Sequence, residues 1–176
     1  MPLYPLRYKL PAAHCTEIGR IITRFAFLES QLSKCIYMLL SLSPKQGRVA
    51  VRAGRIEDLL TTIEDLLYIS KLEVPTNIKK IKTPLKNLER ARDHFAHGVW
   101  VKYPGTKTPV LQITSGNSAI SPGGASVKRR IEPAPAEVTL EDLKKRVRAL
   151  DSAVKAVDRL GHQIDAVLHP ASPKKS

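Results

Sequence analysis

The chain has few of the residues that stabilise small secreted or β-rich domains. Of its 176 residues only two are cysteines, Cys15 and Cys35, and 5% are aromatic. Two cysteines without a CxxC pair provide no disulfide framework and indicate a reducing compartment. A low aromatic content beside 43% hydrophobic residues favours packed helices over an aromatic β-sandwich. This composition predicts a single, mainly helical domain.

Long apolar runs and common cofactor motifs are also missing from the sequence. The start, MPLYPLRYKLPAAHC, has prolines and charges where a secretory signal needs a continuous apolar segment, and no later stretch reaches a membrane-spanning length. We therefore expect a cytoplasmic protein with no membrane partner. There is no Walker loop, GxGxxG, GxSxG or zinc-ligand spacing, so we expect no cofactor and no metal.

Positive charge is abundant. Lys and Arg number 29 against 16 acidic residues, which gives a formal net charge of +13. A field of this size attracts polyanions such as RNA or DNA, although the same charge also keeps a small protein soluble. The charge therefore favours a nucleic-acid partner without identifying it.

Apolar residues recur at steps of three and four in several long segments, which is the period of amphipathic helices. The first predicted helix begins at a cap, Thr16, and ends near Ser43. After a short connection at 45–54 that contains Gly and Arg, the second covers about residues 56–69. These two segments predict neighbouring helices.

Two further helices complete the pattern. The third opens near Asn77 and ends at Gly98, with Pro84 either kinking it or splitting off its first turn. The last begins at Thr139, and its apolar residues form a seam with four-three alternation. Such a seam needs another helix, either in the same bundle or in a second subunit.

Between the third and last helices the strings VWVKYPG, TPVLQIT and ASVKRRI alternate with turn-forming residues. They predict a β-hairpin at about 99–132, with a third short strand as a further option. The expected fold is a mainly α helical bundle of about four long helices with this small insertion. We expect one domain at 1–169 and a disordered tail at 170–176.

Basic side chains cluster in two places. Either cluster can contact phosphates or form an ordinary solvated surface. The candidate nucleic-acid-binding residues are Lys128, Arg129 and Arg130 beside the hairpin, and Lys144, Lys145 and Arg148 on the last helix.

The third helix places a cation on its apolar side. Extending its apolar stripe beyond Leu88 by steps of four and three leads to Arg92 and then to Phe95. A buried guanidinium needs a partner, and Glu29 of the first helix or Asp93 of a neighbouring chain can provide one. This arrangement is either a structural ion pair or part of a site.

The string RDHFAHG at 92–98 resembles the signature of HEPN domains. In that family an Arg is followed by Asn, Asp or His and, after three more residues, by a His that ends the helix. FLE at 27–29 in the first helix and AHGVW at 96–100 are similar to bacterial members of the superfamily. The long helices around the motif extend the resemblance over most of the chain.

The resemblance implies a metal-independent endoribonuclease that acts as a homodimer, often as a toxin with an antitoxin protein or in phage defence. His97 would serve as general base or acid at the ribose 2'-hydroxyl and the leaving oxygen. Arg92 would stabilise negative charge on the phosphate, and Asp93 would orient its neighbours. A helix C-terminus also favours an imidazolium, so His97 can equally be a residue that only stabilises the helix.

Helical geometry limits how the motif can work. Arg92 and His97 are five residues apart, so on an ideal helix their side chains point about 140° apart. They can share one site only if the last turn unwinds or if two subunits combine their motifs. Arg90 lies on the same face as His97, and His94 lies almost opposite Arg92. The alternative function is a non-catalytic dimeric nucleic-acid-binding or scaffold protein that uses the basic face of the last helix.

Overall fold

The computed structural model describes residues 9–51, 54–101, 108–117 and 130–170. In this part of the chain there are five helices and three strands. They are α1 Ala12–Leu39, α2 Pro44–Ala50, α3 Ile56–Ile69, α4 Ile78–His97, β1 Val99–Val101, β2 Val110–Asn117, β3 Arg130–Glu137 and α5 Leu140–Leu168. The predicted fold class, four long helices with a small β insertion before the last, is confirmed.

The insertion is a three-stranded antiparallel sheet in the order β1-β2-β3. A third strand is present, but it lies at Arg130–Glu137 and overlaps the string ASVKRRI only at its last two residues, so the insertion extends beyond the predicted end near 132. Lys128 and Arg129 lie outside the described residues, as does the predicted tail beyond Pro170.

Two of the long helices begin at a side chain that accepts a hydrogen bond from a free backbone N–H group of the first turn. Asn77 caps α4 by accepting from the N–H of Lys80 at 3.3 Å. Thr139 and Asp142 form a reciprocal capping box at the start of α5. The predicted cap Thr139 and the predicted helix start near Asn77 are both confirmed. The predicted cap Thr16 is wrong, because α1 already begins after Pro11 and the Thr16 hydroxyl donates to a carbonyl within the helix.

The predicted connection at 45–54 contains a short helix, α2. Ser43 and Gln46 form a capping box, and Pro44 occupies the first helical position. Gly47 lies against the ring of Tyr37, where a Cβ atom would stand 2.4 Å from a ring carbon. The string SPKQ carries the capping signal that identifies this helix, so its omission is a correction to the sequence interpretation.

The helix α4 remains a single element through Pro84, so its first turn is not split off. Each of the four helices of the bundle buries one apolar face. The core residues with the lowest exposure include Phe25, Leu28, Ile63, Leu85 and Leu150. None of the helices in the described ranges has both the length and the apolarity that a bilayer crossing requires.

The seam of α5 packs against α1 of the same chain, which decides between the two partners that the sequence allowed. Arg24 pairs with Asp151, and further along both helices Cys35 lies beside Gly161. The two helices therefore run parallel. On its other sides α1 contacts α3 and α4, which places the end of α4 between α1, α5 and the sheet.

Candidate functional site

Arg92 lies on the side of α4 that faces α1, one turn after the buried Leu88. Its Nη2 is 3.0 Å from Oε1 of Glu29, and its Nη1 is 3.0 Å from Oδ1 of Asp93. The guanidinium carbon stands 5.4 Å from the centre of the Phe25 ring, within the range of a cation–π contact. The predicted partner Glu29 is confirmed, and Asp93 pairs within the same chain.

Two carboxylates bind this guanidinium, and a third, Glu89, lies close enough to Glu29 to repel it. Glu89 is buried and accepts a hydrogen bond from the backbone N–H of Ile56 at 3.1 Å, where α3 begins. Burial raises the pKa of the Glu29 carboxyl; Arg92 opposes this shift, while repulsion from Glu89 and Asp93 reinforces it. Two carboxylates therefore bind one guanidinium, and these two contacts anchor Arg92.

The Arg92 side chain is only 25% exposed, yet its Nε is buried without a hydrogen-bond partner among the described residues. A buried N–H without a partner carries a desolvation cost. The guanidinium is therefore oriented by its two Nη groups, and its Nε contributes nothing to that orientation.

His97 is the last residue of α4, and its side chain is exposed. Gly98 ends the helix as predicted, and its N–H donates to the carbonyl of His94 at 2.8 Å. The backbone there is extended, so a left-handed conformation is not the reason for glycine. A Cβ atom would lie 2.5 Å from both the His94 carbonyl oxygen and Cδ1 of Leu111. Close packing of β2 on the helix end therefore requires glycine.

Within one chain the structure does not bring Arg92 and His97 together. The helix continues through His97, so the two side chains keep the angular separation of about 140° that an ideal helix imposes. Arg92 faces α1 and His97 faces solvent. Of the two arrangements that the sequence allowed for this pair, the unwound last turn is wrong, and the two-subunit site stays a prediction.

A cleft of about 480 Å³, here called the His94 cleft, opens between the end of α4, the sheet and the start of α5. It is lined by Ala91, His94, Phe95, Leu111, Glu137, Val138, Asp142, Lys145, Arg146 and Ala149. Sequence reasoning assigned no definite role to His94 and missed Glu137 and Asp142. No sequence signal joins these residues, because they come from separate elements.

The basic candidates on α5 are exposed. Lys144 and Lys145 lie on its solvent side, and Arg148 forms an ion pair with Glu141. Lys145 also lines the His94 cleft. Arg130 is the first residue of β3. Across the described ranges, no group of three His, Cys, Asp or Glu side chains is placed to hold a metal ion.

These features define a helical-bundle protein with a small antiparallel sheet and an anchored Arg five residues before a helix-terminal His. Comparisons with protein families, with curated proteins and with solved structures found no match for this chain.

Proposed function

We propose that this protein is a metal-independent endoribonuclease of the HEPN type that acts as a homodimer. The observation that carries the proposal is the anchored Arg92, fixed at 3.0 Å by Glu29 and by Asp93, on the same helix as the exposed His97. The net charge of +13 supports an RNA substrate. A toxin or phage-defence role, with an antitoxin protein as partner, belongs to the same proposal.

The chemistry needs few protein groups because RNA carries its own nucleophile. His97 removes the proton of the 2'-hydroxyl, whose oxygen attacks the adjacent phosphorus. The bond to the 5'-oxygen breaks, and that oxygen takes up a proton from water while His97 releases its own to solvent, leaving a 2',3'-cyclic phosphate and a 5'-hydroxyl. Arg92 stabilises the negative charge that develops on the phosphate oxygens.

The contacts of Arg92 indicate how a phosphate reaches it. Asp93 is 52% exposed at its side chain and binds Nη1, whereas Glu29 is more buried and binds Nη2. A phosphate oxygen can replace Asp93 at Nη1 while Glu29 keeps the guanidinium in place. Because His97 lies on another face, the proposal assigns the histidine of the reaction to a second copy of the chain.

The proposal is tested by incubating purified protein with mixed RNA in EDTA. We expect wild type to cleave, and Arg92→Ala and His97→Ala each to reduce the rate by roughly 10²- to 10⁴-fold. His162→Ala is the matched control, because His162 is an exposed helical histidine with a nearby aspartate, Asp158. Thermal unfolding of each variant separates lost catalysis from lost folding, and Arg92→Lys retains the charge.

Two outcomes of this experiment would overturn the assignment. Unchanged cleavage by both motif variants would mean that the activity does not reside in this site. Loss of activity in Arg90→Ala but not in Arg92→Ala would move the site to the exposed Arg90, which shares a face with His97.

The second candidate function is a non-catalytic RNA-binding or scaffold protein. It is favoured by the exposed cations along α5, which include Lys144, Lys145 and Arg148. Binding to RNA without cleavage products, weakening steeply with salt and weakened further by Lys144→Glu and Lys145→Glu, would support it. No binding at low salt would exclude it.

A further inference from the structure

The His94 cleft lies beside the proposed catalytic histidine. His94 and His97 are three residues apart on α4, so their Cβ atoms are roughly 5–6 Å apart on neighbouring turns. The cleft volume of about 480 Å³ falls within the range of roughly 300–1,000 Å³ that is typical of small-molecule sites. The cleft therefore opens within one helical turn of His97.

The inner surface of the cleft suits a flat, apolar ring. Leu111 and Val138 are buried and form its floor, and Phe95 contributes an aromatic wall. Phe95 is held in place by stacking on Trp100, with ring centres 6.3 Å apart and planes inclined by 28°. Aromatic side chains beside an apolar floor are what proteins use to bind an unstacked RNA base.

The rim of the cleft supplies acceptors and donors. Asp142 uses Oδ2 for both hydrogen bonds from Thr139, at 2.9 Å and 2.6 Å, and Oδ1 makes neither. Glu137 uses Oε2 to accept from the hydroxyl of Thr108 at 3.2 Å, and Oε1 does not take part. The hydrogen bonds from Thr139 lower the pKa of Asp142, so this carboxyl stays an ionised acceptor at neutral pH.

Among the RNA bases, guanine fits such a rim best. Its Watson–Crick edge presents two adjacent N–H donors, at N1 and at the 2-amino group, which a carboxylate can accept together. Its O6 and N7 are acceptors, and they match the donors Lys145 and Arg146 on the α5 side of the cleft. Adenine and the pyrimidines offer no such pair of donors beside an acceptor edge.

We propose that the His94 cleft is a guanine-binding subsite for RNA, in which Glu137 accepts from N1–H and the 2-amino group. Lys145 and Arg146 donate to O6 and N7 or to the flanking phosphate. Only the position of cleavage rests on the proposed ribonuclease function. With the guanosine ribose beside His97, the RNA is cut on the 3' side of guanosine.

Binding is measured first because it does not depend on cleavage. Trp100 is the single tryptophan of the chain and stacks on Phe95, so its fluorescence reports occupancy of the cleft. We expect guanosine 3'-monophosphate to bind roughly 5- to 150-fold more tightly than the inosine analogue, which lacks the 2-amino group. Glu137→Gln should weaken guanosine binding, while the control Glu141→Gln, exposed and paired with Arg148, should not.

Cleavage is then measured on deoxyoligonucleotides that each contain a single ribonucleotide: rG, rA, rC or rU. We expect the rG substrate to react fastest with wild type, and Glu137→Gln to remove that preference. Guanosine-selective binding without cleavage of any RNA would support the guanine-binding subsite and overturn the proposed ribonuclease function. Cleavage that is equal at all four bases, or equal binding of the guanosine and inosine nucleotides, would overturn the subsite and leave the ribonuclease intact.

Discussion

At the scale of single residues, the environment of Arg92 shows how burial and charge compete. A salt bridge at 3.0 Å normally stabilises an ionised carboxylate, yet the pKa of Glu29 is raised. Desolvation, together with repulsion from Glu89 and Asp93, outweighs the attraction of the guanidinium. Removing Arg92 therefore leaves carboxylates without compensation, which is why its variants need a folding control.

The raised pKa of Glu29 predicts a pH dependence of stability. Because the folded protein holds this proton more tightly than the unfolded chain, the free energy of unfolding falls as pH rises from about 4.5 through the folded-state pKa. Glu29→Gln lacks this titration. Urea unfolding at several pH values should show the stability of wild type relative to Glu29→Gln decreasing across that window. A relative stability that increases with pH would mean that the attraction of Arg92 dominates.

The two cysteines should differ in reactivity. Burial raises the pKa of the Cys35 thiol to about 11, because the thiolate would lie in the apolar core between α1 and α5, whereas Cys15 is exposed. We expect a thiol reagent to modify one group per folded chain and two in urea. Cys15→Ser should abolish the reaction of the folded protein. Rapid modification of two thiols without denaturant would contradict the packing of α1 on α5.

At the scale of elements, the end of α4 is where helix, sheet and site meet. Gly98 lets Leu111 of β2 approach the last helical turn, and the same Leu111 forms part of the floor of the His94 cleft. The sheet therefore does more than connect α4 to α5, because it shapes the cleft beside His97.

Replacing glycine by alanine should change the free energy of unfolding in opposite directions at Gly98 and at Gly161. At Gly98 a Cβ atom would lie 2.5 Å from the His94 carbonyl, so Gly98→Ala should lower the free energy of unfolding by about 1–3 kcal/mol. Inside α5, a Cβ atom at Gly161 would meet Sγ of Cys35 at an ordinary 3.7 Å. Gly161→Ala should raise stability by about 0.5–1 kcal/mol through helix propensity. Urea unfolding of each variant measures the change in stability. A change in the same direction at both positions would contradict the packing described for these glycines.

At the scale of the whole molecule, the parallel packing of α1 and α5 uses the long apolar seam of α5 within one chain. In the proposed homodimer, the second copy must therefore dock on another surface. That surface must include the end of α4. His97 is exposed there, and the side chain of Arg92 is a quarter exposed, so both can face the second copy.

Mixing two inactive variants tests whether the site spans two chains. If Arg92 of one copy acts with His97 of the other, a mixed dimer of Arg92→Ala and His97→Ala chains has one intact and one doubly damaged site. Random mixing, after unfolding and refolding together, should therefore restore about one quarter of wild-type cleavage. No recovery, with dimers present in solution, would mean that each site is built within one chain.

The sequence by itself determined the features that depend on near neighbours along the chain. Helical periodicity placed the long helices, including the start of α4 near Asn77. Capping chemistry placed the start of α5 at Thr139, and the apolar stripe placed Arg92 towards the core. Only the tertiary structure decided what covers the α5 seam, that Glu89 caps α3, and that His94, Glu137 and Lys145 share a cleft. Periodicity and capping act over a few residues, whereas these contacts join groups that only the packing of distant elements brings together.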